Sequence, residues 1–174
     1  TLLSPEEVGN YYLAMTILAF FNLILLNPPG TYFSRHLLEW QRTKNLLNAI
    51  FVFILWISIV ALFSIIFIYI LFELTNYSEK FNYILFILFI MSSIVVSTIH
   101  RNLIYGSNTI GFRKEFVVFL IITLIIGLFL SSALVYYYQP SSLNWLFGII
   151  ISEFLVLYFA FKFFVNGNLL DIKK

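Results

Sequence analysis

Cysteine is absent from the 174 residues, which excludes disulfides, thiolate metal sites and cysteine nucleophiles. Charge is scarce as well. Ten Lys and Arg and eight Asp and Glu make up 10% of the chain, where soluble globular domains carry about 25%. A water-soluble enzyme is therefore excluded. Also missing are a phosphate-cradling glycine-rich loop, a G-x-S-x-G elbow and an H-E-x-x-H zinc motif, and the two histidines, His36 and His100, read as members of different loops without a useful partner spacing. ATP hydrolysis, a bound metal and a cofactor are accordingly not expected. A net charge of +2 is too small to argue for nucleic acid.

What is present is apolar: 61% hydrophobic residues, 20% aromatics and a mean hydropathy of +0.98. At roughly 20 apolar residues per span, the length accommodates about five or six membrane-crossing helices with short loops. Uncharged runs predict five spans, designated A to E, over 5–27, 46–72, 81–99, 116–138 and 143–165. The fold class expected is an all-α polytopic transmembrane helix bundle. Ser4-Pro5-Glu6-Glu7 predicts the first helix start, with Ser4 as N-cap, Pro5 at the first helical position and Glu7 closing a capping box. Pro28-Pro29-Gly30 predicts a flexible joint after span A.

The basic residues order the topology. Arg35, Arg42 and Lys44 lie between A and B, Arg101, Arg113 and Lys114 between C and D, and Lys162, Lys173 and Lys174 at the end of E and the tail. Only Lys80 falls on the other side. The positive-inside rule then makes the C-terminus cytoplasmic and residue 1 external. An external N-terminus with no signal peptide ahead of it is most simply explained by one further helix before Thr1, so five visible spans would become six. The tail after span E reads as the end of a lobe or as a linker to a second one.

A few polar residues lie where they need explanation. Across 31–44, Phe33, Leu37 and Trp40 share one helical face and Arg35, Glu39 and Arg42 the opposite one, which predicts an amphipathic interfacial helix. Arg35 and His36 then either lie on anionic headgroups or line the cytoplasmic mouth of a cavity. Ser93, Ser97, His100 and Arg101 fall on one stripe of span C, directed at the bundle interior. The serines read as packing contacts or ligand groups, and Arg101 as a snorkelling anchor or a bidentate phosphate ligand. Glu153, about halfway along span E, reads as a site for a coupling proton or cation, or as one end of a helix–helix hydrogen bond. Asn22 is a further polar residue of span A. Thr123, Gly127 and Ser131 form a small-residue packing face in span D.

These residues carry a resemblance. Leu3-Ser4-Pro5-Glu6-Glu7-Val8-Gly9-Asn10-Tyr11-Tyr12 resembles the L-x-P-E-E-x-G-x-Y segment of bacterial polysaccharide flippases of the multidrug/oligosaccharidyl-lipid/polysaccharide exporter superfamily. Asn27-Pro28-Pro29-Gly30, with Arg35-His36 and Glu39-Trp40, resembles a second stretch of O-antigen and capsule exporters. His100-Arg101-Asn102-Leu103-Ile104-Tyr105-Gly106, with Gly111 and Arg113, is similar to a loop between the fourth and fifth helices of those proteins.

The resemblance covers essentially the whole chain as helices two to six of a six-helix lobe. It implies a non-enzymatic flippase in the bacterial inner membrane that moves undecaprenyl-pyrophosphate-linked oligosaccharide by alternating access. It also implies membrane lipids, the lipid-linked substrate and a C-terminal lobe as partners. In that setting Arg35, His36, Ser97, His100 and Arg101 are candidate cavity residues and Glu153 the candidate coupling site. The alternatives are a membrane polymerase or acyltransferase of the same pathway and a noncatalytic membrane subunit. Against the enzyme, the expected outer loops are short and bring only Glu6, Glu7, Glu73, Glu79 and Lys80 as charges.

Overall fold

The computed structural model describes the backbone of residues 4–75 and 83–170 and the side chains of 4–74 and 83–162. Glu79 and Lys80 of the B–C loop, and Lys173 and Lys174 of the tail, lie outside the described residues. The chain is an all-α bundle: α1 (Pro5–Phe21), a π-turn (Asn22–Leu26), α2 (Asn27–Arg42), α3 (Leu46–Thr75), α4 (Tyr83–Thr109), α5 (Arg113–Tyr137) and α6 (Ser142–Leu170). Among the described residues five helical runs are long and apolar enough to cross a membrane, the first of them combining α1, the π-turn and α2 over Pro5–Arg42. This is a multi-pass membrane protein. Its large exposed side chains are those lipid tails would cover, among them Phe51, Leu124 and Phe129.

The chain does not break at the prolines as the sequence predicts. Span A runs on into the amphipathic segment as one helical rod, because the prolines occupy the first turn of α2, where missing N–H groups cost least. The π-turn absorbs the mismatch, with the Asn27 N–H donating to the Asn22 carbonyl five residues back. Pro29 brings no N–H to the Leu25 carbonyl. The Trp56 indole of α3 donates to it instead, at 3.0 Å. Trp56→Phe should therefore lower stability by about 1 kcal/mol, the usual net worth of one such bond, in detergent unfolding titrations. An unchanged midpoint would show that the carbonyl is satisfied some other way.

On α2, Phe33 and Leu37 are buried and Arg35, Glu39 and Arg42 are exposed, so this helix is amphipathic. Gly30 lies against α4: a Cβ there would stand 3.1 Å from Asn102 Oδ1. Helix α4 runs ten residues beyond the expected end of span C. Nothing breaks it after Ile99, and its polar side chains satisfy backbone carbonyls of the same helix, Asn102 Nδ2 donating to Thr98 at 2.8 Å and Ser107 Oγ to Ile104 at 2.6 Å. His100, Arg101 and Asn102 are thus helical, not loop residues.

The core lies between α1, α3, α4 and α6, around Phe21, Phe72, Phe86 and Phe89. Helix α5 joins it through α6 by the small-residue face. Gly127 meets Ser152, and Gly148 lies flush on Ser131, where a Cβ would come within 2.4 Å of backbone atoms. The close approach lets Ser131 Oγ donate to the Trp145 carbonyl at 2.7 Å. Gly148→Ala should push the helices apart, break that bond and cost about 1–3 kcal/mol. Wild-type stability of this variant in micelles would rule out the close crossing.

Glu7 departs from the capping box. The Ser4 hydroxyl accepts from the Glu7 N–H at 3.3 Å, as an N-cap should. The Glu7 carboxylate, however, accepts from Ser142 N at 2.6 Å and Ser142 Oγ at 2.8 Å. It caps α6 rather than α1. The free N–H groups and positive dipole end of α6 attract a carboxylate, and this ties the start of α1 to the start of α6 at one end of the bundle. Arg42, Lys44, Arg113 and Lys114 cluster around the α2–α3 and α4–α5 turns, where Lys44 (φ 60°) and Gly111 (φ 102°) reverse the chain.

Candidate functional site

The polar stripe of α4 meets α6, α5 and the π-turn in one place. Ser97 donates its hydroxyl to the Glu153 carboxylate, joining α4 to α6. One turn further along, His100 Nε2 lies 3.1 Å from Thr123 Oγ1 of α5. The Thr123 hydroxyl proton is already committed to the Phe119 carbonyl at 2.8 Å. His100 is thus the donor, with its proton on Nε2. Buried at 6% exposure, it serves as a rigid strut between α4 and α5.

Arg101 is held from the other side. Its Nη2 donates to Asn27 Oδ1 at 3.2 Å and to Asn22 Oδ1 at 3.5 Å. In an α-helix, residues five apart diverge by about 140° around the axis. The i→i+5 ladder of the π-turn brings them nearly into line. The two asparagines therefore face one guanidinium because the backbone between them is a π-turn. Through this contact the prolines, which enforce the irregular turn, reach the site.

Asn22, Ser97, His100, Arg101, Thr123 and Glu153 line one cavity of about 320 Å³, walled on its apolar side by Ile104, Tyr105, Leu120 and Leu124. It holds one cation and one carboxylate. Arg101 is solvent-exposed and, among the described residues, accepts no direct contact from a carboxylate; its hydrogen bonds go to neutral amides. A guanidinium with remaining N–H groups suits an anion. The Glu153 carboxyl, with one hydroxyl donor, can take up a proton or a cation. Among the described residues no group of three or more His, Asp or Glu side chains gathers as a metal site.

Four of the six residues expected from sequence, Ser97, His100, Arg101 and Glu153, thus come together. Arg35 and His36 do not join them. Arg35 is exposed on α2, and His36 is held between Tyr32 and Trp40, with ring centroids 4.2 and 5.7 Å away, while its Nδ1 donates to the Tyr32 carbonyl at 3.0 Å. Both lie on α2 beyond the π-turn, at the amphipathic end of the first rod. The helical continuity through Pro28 and Pro29 carries them away from the cavity that a flexible joint would have let them enter. Thr123 and Asn27 are site residues that sequence reasoning assigned elsewhere, Thr123 to a packing face and Asn27 to the end of span A. The available signal for Asn27 was its spacing of five from Asn22 immediately before two prolines.

Comparison of the chain with protein-family models, with curated proteins and with solved structures gives no match.

Proposed function

We propose that this protein is a transporter of the polysaccharide-flippase type, moving a lipid-linked oligosaccharide with an anionic phosphate linkage across the bacterial inner membrane. The observation that carries the reading is the pairing of Arg101 and Glu153 in one cavity between membrane-length helices. A carboxyl midway along a membrane-length helix, as Glu153 is, is costly unless it serves a pathway or a partner. Here the guanidinium offers a place for phosphate and the carboxyl a place for a coupling proton or cation, beside a π-turn, an irregularity frequent at functional sites. The sequence motifs around Pro5, Pro28 and Arg101 support the same reading.

In this proposal the end of the bundle bearing Arg42, Lys44, Arg113 and Lys114 faces the cytoplasm and the Glu7–Ser142 end faces outward. Depleting the intact protein in its host tests the assignment. Lipid-linked repeat units should stall on the cytoplasmic face; exported but unpolymerised units would instead make it a polymerase.

A further inference from the structure

A second polar cleft lies away from Arg101, where the start of α1 meets the end of α5 and the start of α6. It has a volume of about 640 Å³, and Glu6, Glu7, Asn10, Tyr138, Gln139 and Asn144 supply its polar lining, with Phe147 among its apolar walls. Two of these side chains are committed to the fold. Glu7 caps α6, and Asn144 Nδ2 donates to the Gln139 carbonyl at 3.0 Å. The side chains of Glu6, Asn10, Gln139 and Tyr138 have no hydrogen-bond partner among the described residues. They leave amide donors and acceptors, a carboxylate and a phenol facing one hollow.

Among the described residues neither Lys nor Arg lines the cleft. Its two carboxylates would repel an anion, so the phosphate chemistry suited to Arg101 does not fit here. What fits is a ligand with many hydroxyl groups and one apolar face: hydroxyls pair with bidentate amides and carboxylates, and an aromatic ring covers C–H surface. We infer that this cleft is a carbohydrate site, selective for neutral or amino-bearing sugars over acidic ones.

This inference rests on the transport reading for its role but not for its chemistry. The cavity beside Arg101 takes the charged linkage, and the outward cleft takes the sugar, which assigns the cargo a neutral or amino-sugar unit. The two sites lie at opposite ends of α1, since Glu6 and Asn10 begin that helix and Asn22 follows its last residue.

The test is saturation-transfer NMR on the intact protein in phosphatidylcholine nanodiscs, with methyl glucoside, glucosamine and glucuronate as probes. The first two should show transfer and glucuronate little. The double variant Asn10→Leu with Gln139→Leu should bind about tenfold more weakly, as expected for losing several hydrogen bonds, while Trp56→Phe, distant from the cleft, should bind normally. Transfer that is absent for all three probes, equally strong for glucuronate, or unaffected by the double variant overturns the site. Adding a monoglucosyl lipid to the nanodiscs separates the sources: it suppresses the soluble signal if the sugar is taken from the bilayer and leaves it unchanged if taken from solution, and either result upholds a sugar site. Failure to move lipid-linked units in cells, with sugar binding intact, would remove the transport reading and leave the cleft standing.

Discussion

Arg101→Lys should reduce transport by the intact protein at least about tenfold, equivalent to 1.4 kcal/mol, with its membrane topology unchanged. Lysine keeps the positive charge, so any contribution to orientation survives. What it loses is the planar fork. One guanidinium nitrogen of Arg101 spans Asn22 and Asn27, at 3.5 and 3.2 Å, and the remaining N–H groups stay available to a ligand. An ammonium on a flexible stem cannot hold both amides and present a second pair of donors to phosphate. Because charge-assisted bonds are worth about 1.5–3 kcal/mol each, losing one suffices for the expected effect. Asn27→Ala should produce a smaller defect of the same kind, since Asn27 acts through the guanidinium. Unimpaired transport in Arg101→Lys would reduce the residue to a topology anchor.

Glu153→Gln should have a comparably large effect, with a different signature. The amide oxygen can still accept from Ser97, so the α4–α6 hydrogen bond survives and stability should change by less than about 1 kcal/mol. The carboxyl can no longer exchange a proton or bind a cation. Transport should fall about tenfold or more, and the remainder should lose its dependence on pH and on the driving ion. The two readings of Glu153 separate here, since a purely structural hydrogen bond would tolerate glutamine. Unchanged transport with an unchanged pH profile would establish the packing role.

The parts of the architecture legible in the sequence are those set by local composition. Uncharged runs between clustered Lys and Arg mark the crossing helices, because a charge within a lipid-facing span is costly whatever its neighbours are. The stripe of Ser97, His100 and Arg101 could be read from helical periodicity alone, as could the Thr123–Gly127–Ser131 face. The partners were not legible. That Ser97 meets Glu153, 56 residues away, depends on how α4 and α6 cross. That Glu7 caps α6 depends on two chain ends meeting, whereas a capping box requires only the spacing of Ser4 and Glu7.

Proline misled for a related reason. Pro28 and Pro29 disfavour an α-helical interior, which predicts a joint, but the π-turn before them and the Trp56 indole make a continuous rod possible. The continuity sets Arg35 and His36 apart from the cavity and aligns Asn22 with Asn27. In α4, Asn102 and Ser107 looked like loop residues by composition. Bonded to carbonyls of their own helix and buried, they extend it.

The central claim, that this protein moves a lipid-linked sugar across a bilayer, is tested most directly by reconstituting the intact protein in proteoliposomes. These would carry a polyprenyl-diphosphate oligosaccharide with a fluorescent sugar, on both leaflets. An impermeant reductant added outside bleaches only the outward-facing label. Bleaching should proceed to near completion with the wild-type protein, and beyond the half-point it should run at least about tenfold slower with Arg101→Lys, since the inner leaflet stays protected until transfer exposes it. Bleaching that stops at half with the wild-type protein, as in protein-free vesicles, would contradict the claim.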